Sequence, residues 1–149
     1  MEITSDDQFD LQVNGQPAGK GSGWGSPKSI DLAAFLNPGK NIFAVGARNV
    51  GNNPNPAGVL AKLKVEFKSG GRFTLITDNN WKSATNAEDG WKTAAFDDAG
   101  WVTAKVLGEY GTQSWGIIQS DDRPLPARYL RREFSVEKKV RQKNWLEPL

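Results

Sequence analysis

The chain has 149 residues, 38% of them hydrophobic and 24% charged, which is enough apolar material for one globular domain and too little for two full ones. Nineteen Lys and Arg against 17 Asp and Glu leave a formal charge of +2, small and interspersed, which argues against a phosphate-tracking surface and so against a nucleic-acid partner. Cysteine and histidine are both absent, so disulfides, thiolate zinc sites and the usual general base of nucleophile triads are excluded, and any metal is expected to be a hard, oxygen-ligated ion.

No apolar run approaches the roughly 20 residues of a membrane span, and no apolar h-region follows Met1, so neither a membrane partner nor a signal peptide is read in the chain. In chain order, Phe9, Leu11 and Val13 alternate with Asp10 and Gln12, the period of a half-buried strand, and Asn14-Gly15 then signals a hairpin. The Gly-rich stretch from Gly19 to Gly25, with Trp24 inside it, reads as an exposed loop. It contains no Gly-Lys-Ser/Thr ending, which rejects a phosphate-binding loop. Asp31 is placed to cap a single helical turn over residues 32–36, which Asn37-Pro38-Gly39 ends.

Residues 41–48 form a short β-rich run. After the loop of residues 49–58, Ala61, Leu63, Val65 and Phe67 alternate with Lys62, Lys64 and Glu66, and Ser69-Gly70-Gly71 turns the chain into a partner strand over 73–77. From residue 78 to 116 the pattern is irregular. Trp81, Trp91, Trp101 and Trp115 are spaced through polar loops, as in a segment that wraps a sandwich with each aromatic pinning one pass. Trp81 and Trp101 are assigned to structure, and Asp97-Asp98 reads as a loop-fixing acceptor pair. Residues 119–127 look like a linker, and Leu130, Arg132, Phe134 and Val136 alternate as a last strand before a basic tail. Many short strands, with no credible long helix, predict an all-β, antiparallel β-sandwich or jelly roll.

Several strings add up: Asp6-Asp7-Gln8-Phe9-Asp10-Leu11-Gln12-Val13-Asn14-Gly15, then Leu36-Asn37-Pro38-Gly39-Lys40-Asn41, then Asn55-Pro56-Ala57-Gly58-Val59-Leu60. They resemble the galactose-binding-like jelly-roll modules that accompany bacterial α-L-rhamnosidases. Thr77-Asp78-Asn79-Asn80-Trp81, Phe96-Asp97-Asp98-Ala99-Gly100-Trp101 and Leu107-Gly108-Glu109-Tyr110-Gly111 with Trp115-Gly116 are similar to the second half of such a module. The resemblance covers roughly residues 3–118, and it rests on the order and spacing of motifs that are each weak alone. Arg128-Tyr129-Leu130-Arg131-Arg132-Glu133-Phe134-Ser135-Val136 resembles the strand that opens the next β-domain in those enzymes.

The chain is therefore divided into a carbohydrate-binding sandwich (1–118), a linker (119–127) and a C-terminal strand and tail (128–149). That strand is read either as the start of a following domain or as a strand completing the sandwich. Completion within the chain implies a monomer, and completion by exchange implies a strand-exchanged dimer.

The sharpest constellation joins Asp6 and Asp7 to the loop that carries Asn49, Asn52, Asn53, Asn55 and Pro56. Calcium takes roughly six to eight oxygens, and carboxylates, amide carbonyls and backbone carbonyls beside Pro are of that type. The expected metal set is Asp6, Asp7, Asn49, Asn55 and Pro56. The resemblance implies that calcium held by an acidic pair at this strand entry coordinates L-rhamnose directly. Asp7 stands where the motif often shows Asn. The alternatives are that the pair caps a turn while the Asn residues make self-bonded Asx turns, and that a calcium held here is structural and never touches sugar.

Trp24, Tyr110 and Trp115, each beside Gly in a loop, are the candidates for stacking on sugar rings, with packing against the sandwich edge as the alternative. Asp6, Asp7, Asn49 and Asn55 complete the expected sugar site. No pair of carboxylates stands out as a glycosidase acid and base.

The expected function is non-catalytic binding of a sugar such as L-rhamnose, through calcium, in a rhamnose-containing or other plant or bacterial polysaccharide. The module would target a covalently linked catalytic domain of an extracellular or periplasmic bacterial protein. The alternative is a ligand-free structural domain packed against that catalytic domain.

Overall fold

A computed structural model describes residues 1–25, 27–51, 57–108 and 128–136. Its strands are β1 (Glu2–Ser5), β2 (Gln8–Val13), β3 (Gln16–Ser22), β4 (Lys28–Ser29), β5 (Gly39–Arg48), β6 (Val59–Glu66), β7 (Arg72–Ile76), β8 (Lys82–Ala84), β9 (Val102–Thr103) and β10 (Arg128–Val136). The only helical element among the described residues is a 3-10 turn, Ala33–Phe35. The strands form two antiparallel sheets, one of order β4-β1-β6-β7 and one of order β3-β2-β5-β10-β8-β9. This is the β-sandwich that the alternating pattern predicts.

The alternation places the core directly. Ile3, Phe9, Leu11, Val13, Phe43, Val45, Leu63, Val65 and Leu75 are all buried between the sheets. Phe134 of β10 stacks on Phe43 of its own sheet at 4.8 Å and on Phe73 of the opposite sheet at 5.8 Å, so aromatic packing crosses the interior. The β2–β3 turn places Asn14 at φ 53° and Gly15 at φ 80°, the left-handed pair of a tight hairpin. The Asn14 amide donates to the Phe35 carbonyl and to Asn41 Oδ1, both at 2.9 Å, and its own oxygen accepts from Ile42 N–H at 2.9 Å. Asn41, fully buried, donates in turn to the carbonyls of Asn37 and Gly39. A satisfied amide network thus ties the hairpin turn to the 3-10 turn.

Two local readings change. Residues 19–22 are strand and not loop, because β3 pairs with β2 as far as Ser22. Asp31 does not cap as a helix N-cap would. Its carboxylate accepts from Ala33 N–H two residues on, an Asx-type turn feeding the 3-10 segment.

The stretch 85–101 lies against the outer face of the six-stranded sheet. Trp91 is buried, 5.8 Å from Trp101 and edge-on to Tyr129 of β10 at 5.2 Å. Asp98 anchors the same stretch: it accepts from Lys82 Nζ at 2.9 Å and from the buried Arg131 guanidinium, which also donates to the Thr93 carbonyl. Burial alone would raise the Asp98 carboxyl, but the Lys82 hydrogen bond and the Arg131 charge outweigh it and hold it below the usual carboxylate range. Trp81, fully buried, donates its indole N–H to the Ile76 carbonyl at 2.8 Å. β10 lies at the centre of this sheet, paired with β5 over nine positions and with β8 over three.

Candidate functional site

Asp6 and Asp7 make the corner where β1 passes into β2, joined by a cis peptide bond. Asp6 N–H donates to the Gly58 carbonyl at 3.1 Å and Asp7 N–H to the Arg48 carbonyl at 2.9 Å, so the two ends of the 49–58 loop are tied to consecutive acidic residues. Gly23 N–H donates to the Asp7 carbonyl at 2.6 Å, and the Thr4 hydroxyl donates to the Trp24 carbonyl at 2.8 Å. Val50 N–H donates to Asp7 Oδ2 at 2.7 Å. The corner therefore gathers three stretches of chain: the β1–β2 junction, the segment leaving β3 and the segment leaving β5.

The side chains at the corner differ sharply in environment. Asp6 is 8% exposed, and its carboxyl is pushed up to about 6, first by burial and then by the hydrogen bond and charge of Asp7 beside it. Trp24 and Val50 are 52% and 53% exposed. Among the described residues no group of three or more His, Cys, Asp or Glu gathers, so the further oxygens those residues offer a metal are neutral ones, amides and backbone carbonyls.

Of the residues singled out in the sequence, Asp6, Asp7, Trp24 and Asn49 come together here, Asn49 lying half-buried between Arg48 and Val50. Asn55, Pro56, Tyr110 and Trp115 lie outside the described residues, as do Asn52 and Asn53. Sequence reasoning missed Thr4 and Val50. Thr4 is a buried strand residue whose hydroxyl holds the Trp24 backbone, and Val50 contributes a backbone N–H that hydropathy does not register.

No family profile matches the chain. It is homologous to a segment of an α-L-rhamnosidase of Streptomyces avermitilis, 31% identical over 148 residues, which is 93% of this chain but 14% of that protein. The structure of that rhamnosidase complexed with L-rhamnose superposes on 77% of the chain at a TM-score of 0.70 and 32% identity, again over a small part, 12%, of the larger protein. A lectin from Pleurotus ostreatus, known without ligand and in complex with GalNAc, superposes on 80% of the chain at a TM-score of 0.63 and 30% identity, covering 35% of the lectin. The chain thus has the β-sandwich fold of that lectin and a sequence similar to a segment that makes up a small part of the rhamnosidase.

Proposed function

We propose that this chain is a non-catalytic carbohydrate-binding module whose sugar site is the Asp6–Asp7 corner. One observation carries the reading: at a single corner of a lectin-like sandwich, a buried carboxyl and a half-buried one lie beside a segment whose Trp24 side chain is exposed. A pyranose has that same duality, with hydroxyls along its edge and an apolar ring face that stacks on an aromatic ring. The rhamnosidase relative is complexed with L-rhamnose and the lectin with GalNAc, which supports sugar as the ligand class.

Calcium fits the donor set. Asp6 and Asp7 share a hydrogen bond between carboxyls, and the buried Asp6 holds its proton to about pH 6, so a cation in place of that proton would neutralise both groups. In this reading Asp6, Asp7 and Asn49 would hold calcium, which would supply a hard positive centre for neighbouring sugar hydroxyls, with Asn55 and Pro56, outside the described residues, as the remaining candidates from the sequence. Asp6 and Asp7 fix the position of the hydroxyl edge, while Trp24 covers the ring. Little area is buried, so binding to one or two sugar units is weak. Linkage to a glycoside hydrolase then concentrates the enzyme on its polysaccharide through effective concentration.

Calorimetry with L-rhamnose and with GalNAc, in calcium and in chelator, tests the proposal. Heat of binding in calcium that disappears with chelator is the expected result. No heat from either sugar in either buffer overturns it. A second reading, a ligand-free domain packed against a catalytic neighbour, draws on the exposed apolar side chains Val102, Val106 and Leu107 in the last described stretch before β10. It would follow from a calorimetric blank.

A further inference from the structure

Asn14-Gly15 is the one Asn-Gly pair in the sequence, and it stands at the β2–β3 turn with Asn14 half-buried and Gly15 exposed to water. Asn-Gly is the dipeptide most open to spontaneous deamidation, because the second residue has no Cβ to hinder the approach of its nitrogen. That nitrogen attacks the Asn Cγ and closes a succinimide, while the side-chain amide nitrogen leaves as ammonia. Water then opens the ring at either carbonyl. One opening leaves Asp; the other leaves an isoaspartyl linkage, in which the main chain runs through Cγ and is one atom longer.

The fold opposes the first step. Ring closure brings Cγ onto the Gly15 nitrogen and takes the amide out of plane, and the Asn14 amide makes three hydrogen bonds that such a movement breaks, to the Phe35 carbonyl, to Asn41 Oδ1 and from Ile42 N–H. The network has one sense only. Ile42 N–H must meet the Asn14 oxygen, and Asn37 N–H, at 2.8 Å, must meet the Asn41 oxygen, so neither amide turns over without orphaning a backbone group. The same network rejects the product. A carboxylate at position 14 keeps the bond from Ile42 N–H but sets its second oxygen against the Phe35 carbonyl and Asn41 Oδ1, two acceptors, and the fully buried Asn41 has already committed its amide hydrogens to the carbonyls of Asn37 and Gly39. The isoaspartyl form lengthens a turn whose ends, Val13 and Gln16, are paired in register. At the far end of the same hairpin, Gly23 N–H donates to the Asp7 carbonyl, so a slipped hairpin also loosens the acidic corner.

We propose that Asn14-Gly15 is a modification site gated by folding: the amide network keeps it inert in the native chain, and deamidation during an unfolding excursion removes that chain from the native population. The full chain is incubated in slightly alkaline buffer with and without guanidinium, and conversion at Asn14 is followed by peptide mass spectrometry. Conversion is expected to be slower in the folded chain by at least about tenfold, since it must wait for the turn to open. Equal rates in the two buffers overturn the gating. Denaturant is then removed and the refolded material is separated by size exclusion. Converted chains are expected to be depleted from the native fraction and enriched in the misfolded one. Converted chains that return to the native fraction in the proportion in which they formed overturn the rejection of the product. Asn14→Asp checks that step independently: it should melt below the wild type or fail to fold, and a melting temperature equal to that of the wild type counts against the proposal.

Discussion

Asp6 gives the site its sensitivity to pH. Its carboxyl, pushed up to about 6 in the folded chain by burial and by Asp7, returns to the ordinary carboxylate range on unfolding. Between those two values the folded state binds the extra proton, so the stabilisation is present at low pH and is lost as pH rises through about 6. In chelator, the melting temperature should therefore be lower at about pH 7 than at about pH 4.5, and Asp6→Asn should flatten that difference. Calcium should restore stability at neutral pH by occupying the place the proton leaves. A wild-type melting temperature indifferent to pH in chelator would show that Asp6 carries no such burden. The acidic pair and Trp24 were legible in the sequence because charge and aromaticity are properties of the residue type. Val50 was not, because its place depends on a backbone amide reaching Asp7 across 43 positions of chain.

Among the elements, β3 shows what periodicity can and cannot carry. The alternating runs of β2, β6, β7 and β10 emerge with the faces their patterns predict, since a strand buried on one side has to alternate. β3 has glycines where side chains would report a face, and so it read as loop. The reason is spatial. A Cβ at Gly21 would sit 2.5 Å from the ring of Phe9, its direct partner across β2, and one at Gly19 would sit 2.5 Å from Ile30 Cδ1. These glycines leave room for neighbouring apolar groups to lie across the strand. Gly21→Ala should accordingly cost about 1–3 kcal/mol in chemical denaturation, while Gly25→Ala, which meets nothing within 4 Å, should be close to neutral. Equal costs for the two would argue that Phe9 moves aside freely. β8 and β9, three and two residues long, offered no run from which a period could be read.

The molecule as a whole depends on β10. Without it, β8 and β9 have no link to β5, Phe134 no longer bridges the two sheets, and Arg131 no longer engages Asp98. Removing residues 128–149 should lower the melting temperature by about 10 °C or more, and an unchanged value would mean that the sandwich stands without its central strand. The same arrangement bears on how the chain is made. β5 is synthesised long before the strand that covers it, and its run Ile42-Phe43-Ala44-Val45 is fully buried only in the finished sheet. At about 5–20 residues per second, the intervening stretch takes several seconds to emerge from a ribosome. Throughout that interval the nascent chain presents an uncovered hydrophobic edge, the kind of segment that pairs with a neighbouring copy and aggregates, so expression yield should depend on chaperone supply as much as on final stability.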